Sequence, residues 1–337
     1  MFRAPEDDRK SRLSRLAALG CLGVLLLLSC ATVPPPEQAE RWMGVLPSPS
    51  PDSLYASLDV ASSWPLVKSL AETAGAEIAQ LEAITDRLTR VHARIRLSSE
   101  RPPGVCLVAL GEFTPGSVAC RLNLDPSWQR VMLDRVPGAG AHWPYRTYWV
   151  RGNIQLAVPK AGVLLLAADG VTGAAELLAS LHAPDPDPLP VRALAAAETS
   201  ALFLYLPDPL RLISASASSS APAPAVQDPG AIFRRVPIER AWITVRPHEE
   251  DYRLDAVFLL TEVENPRSVE VLLRLMLTLW MRGSEVEDAV QKLKAVRIRT
   301  EGGAAVIESL HLSAAEIASF VRTVLPEQPA AAAPAAP

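Results

Sequence analysis

The sequence is short of the residues that chemistry needs. Its five histidines, His92, His142, His182, His248 and His311, are scattered, and no two stand at ligand spacing along the chain. A metal site wants several His, Cys or carboxylate ligands converging, and no such cluster is written here. There is no G-x-S-x-G turn, no H-E-x-x-H, no Walker loop and no G-x-G-x-x-G behind a strand. The common hydrolase, metalloprotease and nucleotide-binding classes are thereby left without a motif, and the expectation is a protein that is not an enzyme. Clustered charge is missing as well. The 33 basic and 37 acidic side chains give a net charge of −4, and no basic stripe runs along any segment. That argues against nucleic acid, whose binders replace counterions with clustered Lys and Arg, and leaves no polybasic patch for anionic headgroups. Long apolar runs are also lacking. Leu16 to Leu28 is a run of thirteen, whereas a spanning helix needs about 20.

That short run has a context. Arg9, Lys10, Arg12 and Arg15 precede it, which is the layout of a secretory signal with a charged region and a short apolar core. It ends in Leu27, Leu28, Ser29 and Cys30, which resembles the lipobox of bacterial lipoprotein precursors. The resemblance covers residues 1–30 only. It implies that the Cys30 thiol receives a diacylglyceryl group, that a peptidase cuts just before it, and that Cys30 becomes an acylated N-terminus. No other cofactor is implied. One acyl chain holds a membrane only reversibly, at about 0.8 kcal/mol per buried CH₂, so two or three make a stable anchor. Ala31 follows, with no Asp to signal inner-membrane retention, so the cell envelope is the expected location, outer membrane over inner. An ordinary cleaved signal with a chance cysteine, or an uncleaved anchor, are the alternatives.

The first 29 residues hold five of the 33 basic and three of the 37 acidic side chains, which leaves the remainder at −6. Its expected organisation is a Pro-rich tether over 30–52, a first half over 53–182, a junction over 183–199, a second half over 200–325 and a disordered Ala/Pro tail over 326–337. A mobile loop is expected at 214–230, rich in Ser, Ala and Pro. In the first half, strands are expected at 54–59, 91–97 and 105–113, with a helix over 62–90 between the first two. The second half opens with 201–206 and continues with strands at 238–245 and 252–260. The segments after the third strand of each half match: Pro115, Ser117, Val118 and Leu122 line up with Pro266, Ser268, Val269 and Leu273. The match makes 115–123 a short helix, like 269–281, and points to an internal duplication. Strands at 147–150, 154–158 and 163–168 with a helix over 173–181 close the first half. Strands at 296–300 and 305–312 with a helix over 314–325 close the second. The fold class is α+β, two similar halves, each an antiparallel sheet with helices packed on one face.

Few residues stand out as sites. Cys106 and Cys120, exported to an oxidising compartment, are either a disulfide or two separately buried thiols. His92 and His311 sit in strands, where a satisfied or surface histidine is the ordinary reading. Asp59 and Asp208 follow the opening strands and read as helix N-caps. The stretch Val269 to Met281 is apolar nearly all round, with Glu270, Arg274 and Thr278 as one narrow polar stripe. Such a helix is either sandwiched in the core or faces something greasy. Its Leu272, Leu275, Met276, Leu279 and Trp280 are the candidate surface for an apolar ligand or a partner protein. The functional expectation is a lipid-anchored, non-catalytic binding or structural module of the envelope. A carrier or chaperone for a lipid is the alternative, and an envelope hydrolase the weaker one.

Overall fold

The computed structural model describes residues 42–73, 86–96, 104–134, 146–168, 172–210, 238–261, 266–283, 286 and 288–324. The signal segment with Cys30, the loop at 214–230, the tail, and His142 lie outside the described residues.

The first half contributes β1 (Ser53–Asp59), α1 (Val60–Thr73), β2 (Leu88–Arg96), β3 (Gly104–Gly111), α2 (Pro115–Leu124), β4 (Gln129–Met132), β5 (Thr147–Arg151), β6 (Ile154–Lys160), β7 (Val163–Ala167) and α3 (Ala174–His182). The second contributes α4 (Val191–Glu198), β8 (Leu202–Leu206), β9 (Ile238–His248), β10 (Asp251–Leu260), α5 (Pro266–Gly283), α6 (Ala289–Ala295), β11 (Arg297–Glu301), β12 (Ala304–Leu312) and α7 (Ala314–Val324). The class is α+β, as the patterning implies.

The two expected sheets are one. The strands form a single twelve-stranded antiparallel sheet in the order β11-β12-β10-β9-β8-β1-β2-β3-β7-β6-β5-β4. The halves meet where β1 pairs with β8, Tyr55 opposite Tyr205 and Leu58 opposite Leu202. Apart from β4 and β5, each half runs in the same order: opening strand, second, third, last, last but one. Pairing the two opening strands satisfies the edge that each half would otherwise expose, which is why two sheets do not form.

Helices cover both faces, not one. On the front, Leu66 of α1, Leu277 and Met281 of α5, and Ile317 of α7 pack with Leu202, Val245, Leu254 and Leu310. Also on the front, Val118 and Leu122 of α2 pack with Ala109, Leu156, Leu164 and Leu166. On the back, Leu177, Leu178 and Leu181 of α3 and Ala193, Leu194 and Ala197 of α4 pack with Tyr55, Val108, Leu165 and Phe203. Both members of the matched segment start a helix: Val118 and Val269, like Leu122 and Leu273, are buried at equivalent places.

Three further boundaries differ from expectation. The helix expected over 62–90 is described as far as Thr73, and Leu88 to Arg90 belong to β2, paired with β3. The expected junction 183–199 contains α4, buried against the sheet. The end of the expected tether is core: Trp42, Met43, Val45 and Leu46 join the back cluster, and the Asp185 N–H donates to the Gly44 carbonyl at 2.9 Å. Apolar side chains that long bury themselves wherever a sheet face is near. Strand β4 and helix α6 have no counterpart among the expected elements.

Local chemistry fixes the helix starts. Asp59 accepts from the Ser62 N–H at 3.0 Å, capping α1. At α7, the Glu316 N–H donates to Ser313 Oγ (3.2 Å) and the Ser313 N–H to Glu316 Oε2 (2.8 Å), a reciprocal cap. Lys292 Nζ of α6 lies 2.6 Å from the same carboxylate. Burial pushes the Glu316 carboxyl up, but the hydrogen bonds from Lys292 and Ser313 outweigh it, so its pKa falls below the ordinary 4.5. The ionised form is thus favoured by the fold. Its contribution is present above pH 4.5 and lost as pH falls through the depressed folded value. Glu316→Gln is expected to lower stability by about 1 kcal/mol at pH 7. The gap to wild type should close in acid, as urea unfolding at pH 7 and pH 3 would show.

Candidate functional site

Helix α5 lies on the front face towards the β11 edge. Val269 and Leu273 pack with Ile238, Leu260 and Ala305, and Leu277 and Met281 continue the buried line at i+4 spacing. Leu272 and Met276 are half-buried beside it. The polar stripe is not simply solvated. Glu270 Oε1 accepts from the Thr300 N–H (3.0 Å) and hydroxyl (3.1 Å), fastening the helix to β11. Arg274 Nη1 lies 3.5 Å from the Leu293 carbonyl of α6, and Thr278 Oγ1 donates to the Arg274 carbonyl at 2.7 Å. Among its outward positions are two apolar side chains: Val271 is 66% exposed and Leu275 43%. They stand one turn apart on one helix line, with exposed Arg267 and Arg274 beside them. Of the five candidate residues, then, Leu275 faces solvent, while Leu272 and Met276 lean on the core. Leu279 and Trp280 are in the helix, and their side chains lie outside the described residues.

The front face also carries a half-buried apolar strip. Leu54, Ala56, Ala93, Ile95 and Val105 lie in register across β1, β2 and β3. The strip sits between the front core under α1, α5 and α7 and the one under α2, and belongs to neither.

The back face holds what sequence reasoning missed. In β2 the apolar side, Val91, Ala93 and Ile95, is half-buried, whereas His92, Arg94 and Arg96 are buried. They face the back core, under α3, α4 and the 42–46 segment. Ser57 stands opposite His92, and Tyr55 opposite Arg94. His92 is fully buried, and neither ring nitrogen bonds a protein group. Burial, with a small push from the Arg90 charge, lowers its pKa to about 3. It is therefore neither a satisfied nor a surface histidine. Tyr55 OH, Ser57 Oγ and Arg94 Nε are likewise buried without a hydrogen-bond partner. Burial pushes the Tyr55 phenol above its ordinary range, with Arg94 opposing. Arg94 is 9% exposed, and its Nη2 donates to Ser50 Oγ at 2.8 Å, which in turn donates to Asp52. The signal was present: three basic side chains, His92, Arg94 and Arg96, at alternate positions of one strand.

The remaining expectations resolve simply. Cys106 and Cys120 are not joined. Cys106 is buried in the back core, whereas Cys120 is exposed on α2, which covers the front, so the sheet stands between the thiols. His248 and His311, distant in sequence, are brought ring to ring at 4.6 Å by the β9-β10-β12 pairing. Among the described residues no group of three or more His, Cys, Asp or Glu could hold a metal ion. No described helix is long and apolar enough to cross a membrane, which says nothing of crossing by strands.

The architecture is that of an α+β protein built on one wide antiparallel sheet with helices on both faces. It is shared with solved structures of a protein designated TP0453. Crystal form III is 16% identical, with a TM-score of 0.57, over 88% of this chain and 100% of that one. Crystal form I is 17% identical, with a TM-score of 0.55, over 87% and 98%. Crystal form IV is 16% identical, with a TM-score of 0.55, over 83% and 96%. The likeness is one of fold. The chain matches no family model, and no curated protein.

Proposed function

We propose that the chain is a lipid-anchored envelope module that binds a partner protein through the outward edge of α5 and performs no catalysis. The observation that carries the reading is the Val271–Leu275 line. A helix fastened to β11 and the core leaves two apolar side chains exposed one turn apart, with cationic neighbours. That fits a partner with an apolar anchor and an acidic rim. The lipobox resemblance supports anchoring at Cys30, after removal of residues 1–29, with the outer membrane favoured. The tether then ends before Trp42, short of the limit that the sequence pattern implied. The matching strand order and the matched helix starts support descent of the halves from a duplicated unit.

Burying a Val or Leu side chain contributes about 1.5–3 kcal/mol. The double substitution Val271→Asp, Leu275→Asp is therefore expected to weaken the complex at least about tenfold. Gently solubilised envelopes run on native gels provide the check. The wild-type chain should migrate above its own mass and the variant near it; equal migration would count against the surface.

A second reading, a carrier for an apolar ligand, is favoured by the half-buried strip over β1, β2 and β3. Native mass spectrometry followed by solvent extraction separates the two. A near-stoichiometric lipid that Ala93→Asp removes would support the carrier, and a clean protein mass would remove it.

A further inference from the structure

The two edges of the sheet are not treated alike. An edge strand presents a row of unpaired N–H and C=O groups that invites another strand, and proteins commonly blunt such edges. At β11 the edge is blunted: the Thr300 N–H goes to Glu270 Oε1 of α5 at 3.0 Å, and Arg297, Arg299 and Glu301 stand exposed along the strand. At β4, the other edge, no helix residue takes a backbone group among the described residues.

The register of β4 shows which groups are left over. The Leu133 N–H donates to the Arg146 carbonyl at 2.8 Å. That makes Leu133 and Arg146 a hydrogen-bonded pair, and with them Val131–Tyr148 and Gln129–Val150. Arg130 and Met132 alternate with these and turn both backbone groups away from β5. Met132 is 65% exposed, and Arg130 and Asp134 are exposed on the same side of the strand. Val131 and Leu133, on the other side, are half-buried.

This run is complementary to itself. An antiparallel β4 from a second copy, with Met132 opposite Met132, brings Arg130 opposite Asp134 and Val131 opposite Leu133, each pair occurring twice. The outward N–H and C=O groups then face one another. The Asp134 carbonyl accepts from Arg146 Nη1 at 3.1 Å and keeps a lone pair for a further donor. Apolar side chains meet at the centre and opposite charges at both ends, as a self-matching two-fold contact requires. Centring on Arg130 instead would set like charges face to face, and centring on Val131 would leave Arg130 and Asp134 without an opposite charge across the seam.

We propose that β4 pairs antiparallel with β4 of a second copy of this chain about a two-fold axis at Met132, so that two twelve-stranded sheets run on as one. A strand of four residues buries far less than the roughly 1,200–2,000 Å² of a stable interface. The pair is therefore weak and comes apart on solubilisation. Confinement of both copies to one membrane raises their effective concentration, a contribution that rests on the anchoring at Cys30 proposed above.

Disulfide capture in intact envelopes tests this. The full chain carrying Cys120→Ser, which removes the exposed native thiol, and Met132→Cys is oxidised mildly and run on a non-reducing gel. Hydrogen-bonded antiparallel partners have Cα atoms about 5.5 Å apart, within disulfide reach, so a dimer is expected. Arg130→Cys, about 13 Å from its own counterpart in this register, should give little, as should Val191→Cys on α4, 78% exposed and a measure of random collision. Adding Arg130→Asp to Met132→Cys should cut the dimer at least about fivefold, and adding Asp134→Arg as well should restore it. No dimer from Met132→Cys, an equal dimer from Val191→Cys, or indifference to the charge reversal would overturn the proposal. So would a mixed disulfide with another protein in place of the dimer. Fractionating the same sample keeps the anchor separate: a membrane-bound chain without the dimer counts against the pairing alone, and a dimer in the soluble fraction counts against the anchor alone.

Discussion

Phe203→Ala is expected to lower the unfolding free energy by about 3–5 kcal/mol, the range for deleting a buried aromatic side chain, and to do so in one transition of the whole chain. Phe203 is fully buried on β8, opposite Ser57 of β1 and Thr244 of β9. Its cluster draws Tyr55, Cys106, Val108 and Leu165 from the first half and Tyr205 and Trp242 from the second. The cavity therefore opens in a core that both halves share. Hydrogen exchange read on β3 and on β10 would check this. Both strands should lose protection together in the variant. If β10 alone loosened while β3 kept its protection, the halves would be independent domains and the single sheet would not be one cooperative unit.

The second large effect is a pH dependence set by His92. Its folded pKa of about 3 lies below the ordinary 6.5 because burial excludes the charged form. Above pH 6.5 the ring is neutral in both states and contributes no pH dependence. Below it, the unfolded chain takes up a proton that the folded one refuses, so stability falls as pH falls towards the folded value. The slope approaches about 1.4 kcal/mol per pH unit, or about 3 kcal/mol between pH 6.5 and pH 4. Urea unfolding of wild type and His92→Leu across this range isolates the effect. The variant, which also removes two unbonded polar atoms, should be at least as stable at pH 7 and lack this component in acid. An identical acid dependence in both chains would show that the ring is protonated in the fold.

Much of the local structure is legible in the sequence because it is governed by periodicity. The 2.0 spacing of the strands and the apolar 3.6 spacing of α5 are local properties. So is the Pro-x-Ser-Val pattern, which places a helix at 115–124 against an alternation that looks like strand. The joining of the halves is not legible, because the β1–β8 pairing links residues about 150 apart and depends on which edge finds which. The same limit explains β2. Alternation shows that one side of a strand differs from the other, but not which side the chain will cover. Val91, Ala93 and Ile95 look like the core side, yet α3, α4 and the 42–46 segment arrive on the side of His92 and Arg94. At the candidate surface, the apolar character of 269–281 is plain. That Glu270 is spent on Thr300, leaving Val271 and Leu275 outward, depends on where β11 comes to lie. The two thiols fail as a pair for a related reason: spacing cannot say that a sheet will separate them.

The proposed surface is best tested by photo-crosslinking in intact cells, with a benzoylphenylalanine placed at Leu275 and, as a control, at Arg299 on β11. One discrete protein adduct is expected from position 275, absent from position 299 and lost when Val271→Asp is added. Lipid adducts alone, or the same adducts from both positions, would contradict a protein partner at α5.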